Sequence, residues 1–276
     1  VPISSGDAVL NGLLANPGRA GLFLDFDGTL CTVTDDPLSA RLIEGINDVL
    51  EDLADRFRVV AILSGRPAAD LATRVTVAGA RLLGVYGMEE WVSDRVVTHP
   101  QAEGYRDLVV QAREMITQRI QHIPKVWVRD KGIAIAVHWR NSPDRLNASE
   151  QINPLLEEVA ASLGMARAPG RFVEDILPSN GWDKGVAIRN IHAENRLESL
   201  VYIGDDIPDL AAFEMTRELG GTAIFVEGHA DDDRLRAAAD HCLPGPAGVA
   251  AWLFRLRDGL VAAEGGGSRA PRSRAL

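Results

Sequence analysis

The feature that most constrains this chain is a set of short apolar runs that each stop at a small or acidic residue. Gly21-Leu22-Phe23-Leu24 runs into Asp25, Arg58 to Leu63 into Ser64-Gly65, and Arg81 to Tyr86 into Gly87. Leu200 to Ile203 runs into Gly204-Asp205, and Thr222 to Val226 into Glu227-Gly228. Runs this short, with no polar alternation, read as strands buried on both faces, as in a parallel sheet covered by helices. Segments of helical period separate them. Ala40 to Arg56 places Leu42, Ile46, Val49, Leu50 and Leu53 on one side, and Lys184–Asn195 and Asp209–Glu218 are shorter candidates. The expected fold is α/β, with a Rossmann-like parallel sheet core and helices on both faces. Ligands in such sheets sit beyond the carboxyl ends of the strands. Here those ends carry Asp25, Ser64 and Asp205.

The middle of the chain has a different pattern. Glu90 to Val97 reads as a hairpin turning at Ser93-Asp94, and Tyr105 to Gln121 as a helix. Lys125–Arg129 and Gly132–Trp139 read as strands joined by Asp130-Lys131-Gly132, and Glu150–Leu163 as a second helix. This predicts a separate α+β layer inserted over 98–175, between core halves 1–97 and 176–264. The tail 265–276, GGGSRAPRSRAL, has no core-forming pattern and is expected to be disordered.

Composition narrows the function. With 46% apolar and 25% charged residues the chain is that of an ordinary soluble protein. Its net charge of -10 argues against nucleic acid and anionic membranes as partners. No apolar run is long enough to span a bilayer, and no basic residue precedes the first apolar stretch as in a signal peptide. Cys31 and Cys242 lie in no metal-ligand spacing and are expected to be reduced, which points to the cytoplasm. A monomer is the expected state.

The sharpest chemical signal is Asp25-Phe26-Asp27-Gly28-Thr29-Leu30 directly after an apolar strand. One carboxylate at a strand end can attack phosphorus and form an acyl-phosphate. A second one nearby can protonate the leaving oxygen and then activate water. Gly28 allows a sharp turn between them. Asp205-Asp206, followed by Asp209, offers the oxygen-rich environment that suits magnesium, although adjacent aspartates at a strand end also serve as helix caps. Ser64-Gly65-Arg66 can bind phosphate oxygens or simply cap a helix. Lys184 opens a helix, where a cation opposes the macrodipole unless it serves a bound anion.

These parts, in this order, resemble the haloacid dehalogenase superfamily of aspartyl-phosphate hydrolases. Asp25 to Thr29 matches the first motif of that superfamily, Ser64 the second, Lys184 the third and Gly204-Asp205-Asp206 the fourth. The resemblance implies that Asp25 is the nucleophile and Asp27 the general acid/base. It also implies that Ser64, Gly65 and Lys184 hold the phosphate. Mg2+ would be bound by Asp25, the backbone carbonyl of Asp27 and Asp205, with Asp206 nearby.

Within the superfamily the chain is most similar to trehalose-6-phosphate phosphatases, through 25–40, 63–66, 131–140, 181–185 and 204–213. That similarity implies that the inserted α+β layer is a cap domain and that the substrate is a sugar phosphate, with trehalose 6-phosphate first. A related phosphorylated disaccharide or a validoxylamine-type pseudo-disaccharide is the alternative, and a non-catalytic sugar-phosphate sensor the weaker rival. The implied substrate contacts are Arg66, Glu89, Lys131, Arg140, Asn141, and Glu174 or Asp175. The chain departs from the family at Tyr86, where His is common, at Leu177, where an E-V-R-P segment is usual, and at Pro208 and Leu210. His138 lies opposite Ile133, Ile135 and Val137 on its strand, and so faces the site or solvent.

Overall fold

In the structure, a computed structural model, residues 5–34, 39–228 and 232–265 are described. The expected tail therefore lies outside the described residues except for Gly265, which ends a helix. The first sheet has eight strands in the order β12-β11-β10-β1-β2-β3-β4-β5. Six of them pair in parallel: β1 (Ala20–Leu24), β2 (Val59–Leu63), β3 (Arg81–Gly84), β10 (Ser199–Gly204), β11 (Thr222–Glu227) and β12 (His241–Pro244). β4 (Glu89–Val92) and β5 (Arg95–Thr98) extend it as the expected hairpin. Its turn residues Ser93 and Asp94 take φ of 49° and 61°. Two left-handed residues in succession match the right-handed twist of paired strands.

β1 lies at the centre and is buried along its whole length. Leu22 and Leu24 point to one face, where they meet α1 (Ser5–Ala15), α2 (Ile46–Ala54) and α10 (Gly245–Gly265). Phe23 points to the other, with α7 (Lys184–Asn195), α8 (Leu210–Glu218) and α9 (Asp233–Ala238). Each such side chain contributes roughly 1.5–3 kcal/mol by leaving water. Covering both faces is what lets the strands be apolar at every position.

The second sheet, in the order β6-β7-β9-β8, is antiparallel throughout and is made only of inserted residues. Its strands are β6 (Trp127–Asp130), β7 (Ile135–His138), β8 (Met165–Gly170) and β9 (Val173–Pro178). One face carries Ile135, Val137 and Ile176 against α5 (Arg106–Ile120) and α6 (Arg145–Leu163). The other face roofs the carboxyl ends of the parallel strands. The short helices α3 (Ala68–Ala72) and α4 (Pro100–Glu103) complete the chain path. None of the described helices is long and apolar enough to cross a membrane.

Several sequence expectations need correction. The helix expected over 40–56 is formed only by Ile46–Ala54. Gly45 before it is left-handed, at φ 79°, and Leu42 bridges to Cys31 instead. The helix expected from Glu150 begins at Arg145, because the Asp144 side chain caps the Asn147 N–H. Strand β5 ends at Thr98, and β9, paired with β7 and β8 in the second sheet, runs to Pro178.

Candidate active site

Parallel register brings the chemistry together. Leu24 pairs with Ile203 on one side and Ile62 on the other, so Asp25, Asp205 and Ser64 leave the sheet along one edge. The Asp25 N–H donates to Ile203 O at 2.9 Å, which fixes the exit of β1. The chain then turns at Gly28, whose φ of +79° disfavours other residues. A Cβ there would lie 2.0 Å from Asp205 Oδ2, so only glycine lets the two segments approach.

Lys184 lies at the floor of the site. It opens α7, a poor place for a cation on macrodipole grounds. Its ammonium donates to Asp25 Oδ1 at 2.5 Å and to Asp209 Oδ1 at 2.6 Å, and is 3.2 Å from the Tyr202 hydroxyl. Burial pulls the Lys184 pKa down, but the Asp209 and Asp25 carboxylates outweigh it and hold the group above its ordinary value. Asp209 uses both oxygens for orientation. Oδ1 also accepts from Tyr202 at 2.5 Å, and Oδ2 accepts from the N–H groups of Asp205 and Asp206 at 2.8 and 3.0 Å.

Oxygens of Asp25, Asp205 and Asp209 lie within 4.8 Å of one another. Among the described residues, Asp205 Oδ2 is fully buried with no hydrogen-bond partner, while Oδ1 takes only a long contact of 3.5 Å from Thr29. An orphaned buried carboxylate oxygen is costly unless something positive meets it. Burial raises both carboxyls, Asp25 to about 7, with Asp209 adding to each rise and Lys184 opposing it. This donor set is short of positive charge, all-oxygen and buried, and therefore fits a hard divalent cation. Asp206 is turned elsewhere: Oδ1 accepts from the Ile207 N–H at 2.8 Å, and Oδ2 from the Arg171 N–H in the roof at 3.4 Å.

Asp27 stands beside Asp25 but faces Arg66. The guanidinium donates from Nε to Oδ2 at 2.6 Å and from Nη2 to Oδ1 at 2.7 Å. Arg66, an expected substrate contact, lines the cavity and also grips the acid/base candidate. Ser64 is buried on the cavity wall, and its Oγ accepts from the Arg66 N–H at 3.2 Å.

The cavity between floor and roof measures about 170 Å³. Asp25, Asp27, Ser64, Gly65, Arg66, Lys184, Asp205 and Asp206 line it from the core, and Lys131, Arg140 and Asp175 from the roof. Lys131 ties the layers together by donating to Gly65 O at 2.8 Å and to Asp175. Tyr86, held at φ 59°, donates to the same Asp175 oxygen at 2.7 Å. The remaining expected substrate contacts lie elsewhere. Glu89 is buried and accepts from the Ala68 N–H at 3.0 Å, so it caps α3. Glu174 points to the outer face of its strand and pairs with Arg167. Asn141 is exposed and does not line the cavity.

Residues 23–237 match the trehalose-phosphatase family. The chain belongs to the trehalose-phosphatase family. It is 36% identical over 251 residues to a trehalose-phosphate phosphatase of Mycobacterium marinum, a match covering 88% of this chain. The match covers 62% of that relative, so this family member spans only part of the relative's length. In fold it is similar to the C-terminal domain of C. albicans trehalose-6-phosphate phosphatase. The TM-score is 0.80 at 18% identity, covering 93% of this chain and 98% of that one. It is likewise similar to a haloacid dehalogenase-like hydrolase from Bacteroides thetaiotaomicron, with a TM-score of 0.61 at 15% identity over 86% and 99% of the chains.

For this trehalose-phosphatase family member, sequence reasoning passed over Tyr202 and Arg129, which the fold brings to the site, and left Asp209 and His138 without a partner there. Tyr202 sits in a buried apolar run, where a phenol hydroxyl must find a partner, and that requirement was its only signal. Asp209 was legible as an acid but not as the partner of Lys184. Arg129 lines the cavity from β6. His138 also lines it, with its ring stacked on Trp127 at 4.2 Å and its Nε2 enclosed without a partner among the described residues.

Proposed function

We propose that this chain is a phosphoric monoester hydrolase that releases phosphate from trehalose 6-phosphate through an aspartyl-phosphate on Asp25. The observation that carries the reading is Asp25 held by buried Lys184 beside the orphaned Asp205 oxygen, on the floor of a roofed cavity. Lys184 holds Oδ1, leaving Oδ2 of Asp25 to attack phosphorus. The ester P–O bond breaks as the Asp25 O–P bond forms, and the sugar oxygen takes a proton from Asp27. Water then attacks phosphorus, Asp27 takes its proton, and Asp25 leaves as a carboxylate. Ser64 and Lys184 hold the phosphate oxygens throughout. Asp25, Asp205 and the Asp27 carbonyl would hold Mg2+, which supplies positive charge against the phosphate oxygens when bound. The inserted sheet serves as the cap, excluding bulk water and presenting Lys131, Arg140 and Asp175 to the sugar.

The test is phosphate release from trehalose 6-phosphate with and without Mg2+, against glucose 6-phosphate and the Asp25→Asn variant. Release that requires Mg2+, prefers the disaccharide and vanishes in Asp25→Asn is expected. Full activity in Asp25→Asn would overturn the mechanism, and equal rates on the two sugars would overturn the substrate.

A further inference from the structure

We propose that Arg66, Asp70 and Arg129 are positioning residues that set the pose of Asp27, so that proton delivery depends on how the inserted sheet is seated. This rests on the reading of Asp27 as the acid/base.

Both Asp27 oxygens are taken by the Arg66 fork, so the carboxylate stands where Arg66 stands. The remaining guanidinium nitrogen of Arg66, Nη1, donates to Asp70 Oδ2 at 2.8 Å. All three nitrogens are therefore engaged, and two oxygens of one carboxylate meet a planar fork, the geometry that fixes orientation best. Asp70 is the hub. Its Oδ1 takes Arg74 at 2.9 Å, and its Oδ2 also takes Arg129 Nη2 at 3.2 Å. Arg74 in turn donates to Ala40 O at 2.8 Å, which anchors Asp70 to the core.

Arg129 differs from the others because it belongs to β6, in the roof, whereas Asp27, Arg66, Asp70 and Arg74 all belong to the core. The chain of contacts from Asp27 through Arg66 and Asp70 to Arg129 thus crosses from the catalytic floor to the inserted sheet. The side chains of Arg66, Asp70 and Arg129 are 6%, 14% and 17% exposed, so solvent and salt screen these pairs little. A supporting shell of this kind holds a reacting group to the fraction of an ångström that proton transfer needs.

The chemistry provides a discriminating readout. In the first half-reaction the ester bond breaks and the leaving oxygen takes the Asp27 proton. A sugar alkoxide needs that proton, and 4-nitrophenolate does not. Loss of acid positioning must therefore slow the sugar ester selectively, whereas a general structural defect slows both.

The experiment measures single-turnover release of the alcohol from the sugar phosphate and from 4-nitrophenyl phosphate. It compares the wild type, Asp27→Asn, Asp70→Asn and Arg129→Lys. Asp27→Asn is expected to raise the aryl-to-sugar rate ratio about 100-fold or more, within the range for general acid catalysis. Asp70→Asn is expected to raise it about tenfold and Arg129→Lys several-fold, in the same direction. An elevated ratio in Asp27→Asn with a wild-type ratio in both Asp70→Asn and Arg129→Lys overturns the relay alone. An unchanged ratio in Asp27→Asn overturns the acid/base reading and the relay with it. Arg129→Lys keeps the charge and Asp70→Asn keeps the shape, so folding of at least one is expected and circular dichroism checks it.

Discussion

His138 makes a quantitative prediction about acid stability. Its ring is enclosed by the roof, with Lys131, Arg129, Arg140 and Arg66 as the cations that act on it. Burial, reinforced by Lys131 and then the arginines, lowers its pKa from 6.5 to about 3. The folded state thus resists a proton that the unfolded chain accepts. The neutral ring's contribution is complete above pH 6.5 and is lost as the pH falls toward 3. Between pH 7 and 5 the unfolded imidazole holds a proton that the folded ring refuses over an interval of about 1.5 pH units. At about 1.36 kcal/mol per unit this is ~2 kcal/mol. Partial exposure of the ring edge reduces it to ~1–2 kcal/mol. The assay is urea unfolding at pH 7 and pH 5 for the wild type and His138→Gln, which cannot titrate there. Subtracting the two cancels the other five of the six histidines. The wild type should lose ~1–2 kcal/mol more than the variant over this interval. Equal losses in the two proteins would refute the reasoning.

Other perturbations follow from the floor and the turns. Asp25→Asn should remove turnover measured with Mg2+ and, in metal-free protein, should cost no stability, because burial disfavours the charged carboxylate it replaces; phosphate release and thermal melts check the two halves. Lys184→Met leaves Asp25 and Asp209 without their cation and should cost ~3–5 kcal/mol in urea unfolding at pH 8. Gly84→Ala would put a Cβ 2.1 Å from the Ala68 backbone nitrogen and should cost about 3 kcal/mol, whereas Gly164→Ala, at φ +62° with open space, should cost only ~1. Lys131→Met cuts the tie between roof and core and should raise KM for the sugar phosphate about tenfold, ~1.4 kcal/mol, in steady-state assays.

How much the sequence alone reveals depends on range and parity. β1, β2, β3, β10 and β11 were legible because each is buried on both faces, and a short run of unbroken apolar residues fits best between two covering layers. The sharp turn after β1 was legible from Gly28. The face of a strand was not always so. Glu174 and Asp175 are neighbours, so one points in and the other out, and nothing local decides which. Only the pairing of Ala136 with Asp175 and of Val137 with Glu174 settles it. His138 was placed on the correct face because its apolar neighbours marked the opposite one. Glu89 and Arg66 were recognisable as polar groups near motifs, but their partners, the Ala68 N–H and Asp27, depend on tertiary approach. The start of α2 was hidden because Gly45 interrupts an otherwise helical apolar period.

The alignment of strand ends has a consequence for how this chain tolerates change in length. Three neighbouring strands deliver one group each to the same edge, and each delivery depends on counting residues from a hydrogen-bonded pair. A single insertion within β1, β2 or β10 would reverse which side its last residue faces while leaving an apolar strand that still buries well. Such a protein could fold and yet be inert. The same insertion in the Ser93-Asp94 turn would only lengthen a loop at the far margin of the sheet.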